Sequence, residues 1–431
     1  MLREQLCLTT VLVAMLTTSV SADQLPVAAR RPASKDSLPV PSPKTTLVLI
    51  QEAADGNRMS KRVLLNRSLI LRTGKPDNIL LDWLVKQAEA GNAKAMARIG
   101  ESYHLGVGCK QDFQKSMEWY RKSAAAGHPS GMVGVGFLYF HGLGVQRDST
   151  KVLKWYRKAA NAGGHEGMNN LGYLYQHGIA VKQNARLARQ WYEKAARLRN
   201  PHALDNLGQM CFKGEGGPVD PKKGFELFRK AASLGHSSSM INLSMSYLGR
   251  PGIKSDFKKA VSWARIAIDN GEPRGMLLLG YYYLQGYGVE KNLEKSLTWY
   301  RMAMENGVAE AVINVADFYL QGKGVKQDVA KAISMLKNAS KHGNMPATMF
   351  LGGIYAYGQY VEKDLTKSFS YYHRAAELGN ATAMLRISIS YRFGMGVERD
   401  EKKSMLWLKK SAEAGNKTAK EIYARQYGER E

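Results

Sequence analysis

The chain has 431 residues, with 62 lysines and arginines against 37 aspartates and glutamates, for a formal charge of +25 at neutral pH. Three cysteines are too few for a disulfide framework. Beyond the N-terminal segment, no apolar run approaches the ~18 residues that a membrane-spanning helix needs.

Residues 1–22 read as a secretory signal. Arg3 precedes an apolar run from Leu6 to Leu16, and Val20, Ser21 and Ala22 supply the small residues of a cleavage site. The expected location is secreted or periplasmic. The ER lumen is an alternative, as is the mitochondrion if the same segment is a targeting sequence. Residues 23–46 hold five of the thirteen prolines and several basic residues, and read as an extended linker. Residues 47–91 read as a degenerate repeat capping the N-terminal end, because "LDWLVKQAEAG" (81–91) places Trp83 in a register that recurs downstream.

From Asn92 to Gly415, three patterns keep a 36-residue period through nine copies without an insertion. Gly-x-x-Tyr-x-x-Gly is complete at Gly100/Tyr103/Gly106, Gly136/Tyr139/Gly142, Gly172/Tyr175/Gly178, Gly280/Tyr283/Gly286 and Gly352/Tyr355/Gly358. A further glycine returns at Gly91, Gly127, Gly163 and onward, broken only by Arg199. An aromatic pair returns at Trp119-Tyr120, Trp155-Tyr156, Trp191-Tyr192, Trp299-Tyr300 and Tyr371-Tyr372.

Each copy reads as two helices. Ala95, Met96, Ile99, Gly100 and Tyr103 share one face of the first, which Gly106 stops. Asp112 caps the second, whose inner face carries Ser116, Trp119, Tyr120, Ser123 and Ala124 before it ends at Gly127. Positions 95 and 123 are small in every copy, so facing backbones can approach closely while Trp and Tyr fill the wider gaps. Gly172 is expected to be wedged between helices in that way. Such hairpins bury little alone and stack into an all-α solenoid with a concave and a convex side. Residues 416–431 read as a polar C-terminal capping helix.

"AMARIGESYHLGVGCKQDFQKSMEWYRKSAAAG" (95–127) and its successors resemble Sel1-like repeats, a tetratricopeptide-related family. The resemblance implies a right-handed superhelical solenoid of antiparallel helix pairs that serves as an adaptor or scaffold for other proteins. It also implies that the free face of the first helices lines the concave groove. A cysteine-rich secreted branch of the family pairs cysteines within each repeat. Here Cys7 leaves with the signal, and Cys109 and Cys211 lie about three repeats apart, too far for a bridge.

Candidate partner-binding residues follow from that face. One register holds Arg98, Asn170, Asn206, Asn242, Asn314 and Arg386, and its four asparagines read either as braces between adjacent helices, which the family resemblance also implies, or as a ladder of paired donors and acceptors along an extended peptide. Three residues on, Glu101, Tyr173 and Tyr281 belong to a register that varies between copies. A separate basic stripe runs along the second helices: Lys115, Lys151, Lys223, Lys259, Lys295, Lys331, Lys367 and Lys403. It reads either as a solvated face or as a surface for an anionic polysaccharide, a membrane or an acidic protein. Nucleic acid is disfavoured, because most aromatic residues sit at core registers and are not interleaved with the lysines.

The histidines are scattered, no CxxC or HExxH spacing occurs, and no catalytic, metal or cofactor constellation is expected. The expectation is an exported, non-enzymatic scaffold binding a protein or peptide in its groove. The alternative is a cell-envelope scaffold for an anionic polysaccharide. A cell-wall-related hydrolase and an ER-lumenal adaptor are less favoured.

Overall fold

A computed structural model describes residues 79–427. The predicted signal, the linker and residues 47–78 of the predicted N-terminal cap lie outside the described residues. Among those described, the chain forms twenty α-helices and no strand. They fall into two compact units, one of residues 79–239 with 250–253 and one of 240–249 with 254–427.

The first unit holds α1 (Ile79–Glu89), α2 (Ala93–Leu105), α3 (Phe113–Ala125), α4 (Pro129–His141), α5 (Ser149–Asn161), α6 (His165–His177), α7 (Ala185–Arg197), α8 (Pro201–Lys213) and α9 (Pro221–Ser233). The helix α10 (Ser237–Ser246) divides between the units after Ser239. The second unit continues with α11 (Phe257–Asp269), α12 (Arg274–Gln285), α13 (Leu293–Glu305), α14 (Ala311–Gln321), α15 (Val329–Lys341), α16 (Met345–Tyr357), α17 (Leu365–Glu377), α18 (Ala381–Phe393), α19 (Glu401–Glu413) and α20 (Lys417–Tyr427). From α2 onward, even-numbered helices are the first of each hairpin and odd-numbered helices the second. Within a unit each helix packs on the next, and first helices also touch one another, as α2 does α4 and α4 does α6.

Local chemistry sets these boundaries. The Asp112 carboxylate accepts the backbone N–H groups of Gln114 and Lys115 at 3.0 Å, and Asp148, Asp220, Asp256, Asp328, Asp364 and Asp400 cap their helices alike. Gly106 ends α2 in the left-handed conformation at φ 68°. Arg199 takes φ 59° where other copies have glycine, so it adopts a backbone that L side chains resist.

Two kinds of small residue do different work. Positions 95 and 123 do bring hairpins together. A Cβ on Gly131 would fall 2.5 Å from the Cβ of Ser123, and one on Gly167 2.6 Å from that of Ala159. Gly172, expected to let backbones approach, instead receives a ring, since its Cβ would lie 2.6 Å from Cε1 of the fully buried Tyr192. The same pairing joins Gly100 to Tyr120, Gly136 to Tyr156, Gly208 to Phe228, Gly280 to Tyr300 and Gly352 to Tyr372. In the three copies without this glycine the ring is also absent: the pairs are Ser244/Ala264, Ala316/Leu336 and Ser388/Leu408.

A buried hydroxyl crosses the hairpin beside these pairs. Ser116, Ser296 and Ser368 donate to the carbonyls of Gly100, Gly280 and Gly352 at 2.7–2.8 Å. Where the first helix carries serine, the direction reverses, with Ser244 donating to Ala260 and Ser388 to Ser404 at 2.7 and 2.8 Å.

Candidate binding face

Packing leaves a stripe of some first helices open, whereas Gly134 on α4, Leu278 and Tyr281 on α12 and Asn314 on α14 are buried at the same registers. On α2 that stripe runs through Lys94, Arg98, Glu101 and Leu105, at a spacing of three and four, and Ala93, Met96, Tyr103 and His104 beside it are also not buried. This is the face on which the sequence places its candidate residues, and the structure treats them unequally.

The asparagine ladder is not a free row. The Asn169 amide donates to Asn170 Oδ1 at 3.2 Å, and the Asn206 amide donates to Asn169 Oδ1 at 3.1 Å. Asn170 and Asn206 are therefore linked through a residue one register away, and this chain braces α6 against α8. Asn314 is buried in the second unit, and Asn242 is half-buried. Tyr281 is also buried. Its ring packs on Tyr282 and Tyr287, and burial pushes its hydroxyl up to about 12. By contrast Arg98, Glu101 and Tyr173 are half-exposed, Arg98 and Glu101 pairing at 2.5 Å, and Arg386 is exposed.

Ring contacts on this face of the first unit form a ridge that the sequence reading missed. His104 packs on Phe137 at 5.0 Å, Phe137 on His141 at 4.3 Å, His141 on Phe140 at 4.9 Å, Phe140 on Tyr173 at 6.3 Å and Tyr173 on His177 at 4.2 Å. His141 and His177, which share a register in successive copies, are joined through Phe140 and Tyr173. Burial holds His104 and His177 below the usual imidazole value. The signal was present in the sequence as aromatic and histidine residues at three registers, those of positions 101, 104 and 105.

The lysine stripe has partners. Lys115, Lys151, Lys259, Lys295, Lys331, Lys367 and Lys403 each lie 4.3–5.7 Å from the ring centre of the tyrosine ending the first helix of the same repeat. Several also pair with the capping aspartate, as Lys259 does with Asp256 at 3.0 Å and Lys367 with Asp364 at 2.8 Å. Lys223 is the exception, because Cys211 replaces its tyrosine. The tyrosine hydroxyls then accept from the preceding repeat, Tyr139 from Arg121 at 3.2 Å and Tyr175 from Arg157 at 3.4 Å.

One polar cluster in the first unit runs from buried Asp205 and Ser239 through half-buried His236 to exposed His202. Ser239 Oγ donates to Asp205 Oδ1 at 2.5 Å, His236 Nδ1 lies 3.0 Å from the same hydroxyl, and His236 Nε2 lies 3.1 Å from His202 Nδ1. The residue types match a nucleophile, a base and an orienting acid, but the connections do not. The hydroxyl proton goes to the carboxylate and not to the imidazole, and Ser239 is wholly buried. Asp205 also accepts from Gln209 at 2.8 Å, so the cluster ties α8 to the start of α10. Among the described residues no group of three or more His, Cys, Asp or Glu is placed to hold a metal ion. Nor is any helix there long and apolar enough to cross a membrane.

Tandem helical hairpins with a fixed packing code and a variable open face define a helical repeat protein. The Sel1 repeat model matches nine consecutive segments, 93–128, 129–164, 165–200, 201–236, 237–272, 273–308, 309–344, 346–380 and 381–416. The chain belongs to the Sel1 repeat family, whose members generally act as protein-interaction scaffolds. Similar solved structures include c5321, a protective antigen of uropathogenic Escherichia coli, at 29% identity, covering 88% of this chain and 84% of that one with a TM-score of 0.49. A Sel1 repeat protein from Oxalobacter formigenes is 29% identical over 72% of this chain and 90% of its own, with a TM-score of 0.45. Helicobacter pylori cysteine rich protein B is 26% identical over 31% of this chain and 95% of its own, with a TM-score of 0.26. No curated protein matches the chain.

Proposed function

We propose that this protein is an exported, non-enzymatic scaffold that holds a protein or peptide partner against the open face of its first helices. One observation carries the reading. Packing positions such as 95 and 123 stay small in every copy, whereas the register of Glu101 carries unrelated residues, including the half-exposed rings of Phe137 and Tyr173. Rings left partly in water on a rigid array of helices are the kind of anchor from which interfaces draw their affinity. Export rests on residues 1–22 alone and is tested by fractionating cells that express the full chain.

The binding face is tested by affinity capture with the full chain carrying Phe137→Ala and Tyr173→Ala. Recovery of the partner should fall several-fold while the circular dichroism spectrum is unchanged. Undiminished recovery by the folded variant would reject this face. The alternative, an anionic polysaccharide or membrane held by the lysine row, is less favoured because most of those amines already lie over tyrosine rings. Retention on an anionic polysaccharide column that falls steeply with salt, and falls further on Lys115→Gln and Lys151→Gln, would support it instead.

A further inference from the structure

Two aromatic side chains stand out of the second unit further than packing requires. Tyr357 is 73% exposed and Phe393 67%, and they end successive first helices, α16 and α18, at the same register. The other copies of this unit place Gly249, Gln285 and Gln321 there, so the hairpin does not need a ring at that position. Large apolar groups exposed in adjacent copies are unusual on a surface with nothing to bind.

The same side carries an available cation. Arg386 on α18 is exposed and makes no hydrogen bond or ion pair among the described residues. Arg386 lies seven residues before Phe393 on α18, and so on the same face of that helix. Phe393 is held in place from behind. The Arg392 guanidinium lies 5.7 Å from its ring centre and donates to Gln426 Oε1 on α20 at 3.3 Å. Neither α16 nor α18 contains a carboxylate.

We infer that Tyr357, Arg386 and Phe393 form a docking subsite for an acidic peptide segment that carries apolar side chains beside its carboxylates. The unpaired guanidinium offers a planar fork to a carboxylate. The two rings take the neighbouring apolar groups, and arginine with aromatic residues is the combination that dominates interface energies. A basic segment meets Arg386 and Arg392 with no acid on either helix to offset them. The inference rests on the open face being the binding face and adds the location and chemistry of one occupant.

The test uses the full-length protein and three pools of short fluorescein-labelled peptides read by anisotropy. One pool alternates Asp or Glu with Leu or Phe, one alternates Lys with Leu or Phe, and one alternates Asp or Glu with Gly or Ser. The first pool should bind, and the other two should bind roughly tenfold or more weakly. Arg386→Glu, and Tyr357→Ala combined with Phe393→Ala, should each weaken the first pool by roughly tenfold or more. Their unfolding midpoints should stay unchanged, since all three side chains are exposed.

Equal binding of the lysine pool, or undiminished binding by these variants, overturns the subsite. If no pool binds while partner capture still depends on Phe137 and Tyr173, the subsite fails and the wider reading of the face stands. Self-association in sedimentation that Tyr357→Ala abolishes would make the occupant a second copy of this chain, which also overturns it.

Discussion

Replacing Gly172 with alanine sets two opposing terms against each other. In a helix interior, alanine is favoured over glycine by about 1 kcal/mol. The added methyl, however, would sit 2.6 Å from Tyr192 Cε1 and 2.7 Å from Cδ1, about 1 Å inside ordinary carbon–carbon contact. Tyr192 cannot retreat cheaply, because it is wholly buried and its hydroxyl donates to Gln176 Oε1 at 2.8 Å. Overpacking of this kind costs about 1–3 kcal/mol, so, set against the propensity gain, Gly172→Ala should leave α6 less stable by up to about 2 kcal/mol. Tyr192→Leu alone opens a gap and should cost about 2–4 kcal/mol. The double variant recreates the Ala316/Leu336 pair that the chain already uses. It should be less damaged than the sum of the two by about 1–2 kcal/mol. Native-state hydrogen exchange over α6 and α7 of the full chain reads these local free energies, which a global melt of a repeat array would blur. A Gly172→Ala variant more stable than wild type, or strictly additive effects, would refute the ring-to-glycine packing code.

Arg199→Gly relieves a left-handed backbone held by a residue with a Cβ and should stabilise the α7–α8 turn by about 1 kcal/mol, seen as slower amide exchange there; faster exchange would contradict it. Burial raises the Asp317 carboxyl in spite of Lys323 at 3.6 Å. A carboxyl raised by folding costs stability that sets in as pH rises through its ordinary value and is complete above its folded value, so Asp317→Asn should raise the unfolding midpoint at pH 7, and a lowered midpoint would show that the charge is needed. Burial depresses His104, His128 and His177. Their contribution is complete above the ordinary histidine value of about 6.5 and falls away as pH drops below it. The first unit should therefore exchange faster at pH 5.5 than at 7.5 after correction for intrinsic rates, and His104→Gln with His177→Gln should flatten that dependence.

Much of the fold was legible because its code is periodic. Helix ends follow from capping aspartates and left-handed glycines, both fixed by local backbone chemistry. The partner of Gly172 was harder to see, although the pairing of glycine with ring could have been read by comparing positions twenty apart across copies. Burial on the open face was not legible, because a register says which way a side chain points and not how closely the next repeat covers it. Tyr281 and Asn314 share registers with exposed residues and are nevertheless buried. The lysine row illustrates the same limit, since its exposure was foreseen but the tyrosine beneath most of its amines depends on how one helix of a repeat lies over the other. Exposed rings at Tyr357 and Phe393 appeared in the sequence only as two more aromatics in an aromatic-rich chain.

The most direct measurement places a photoactivatable benzophenone residue at Glu101 or Phe137 on the open face, or at Lys115 or Lys223 on the lysine row, in full-length protein expressed in its native setting. Partner adducts should form from the first two positions and be absent or minor from the lysine pair. Adducts confined to the lysine row, or formed equally at all four positions, would contradict the assignment of binding to the first helices.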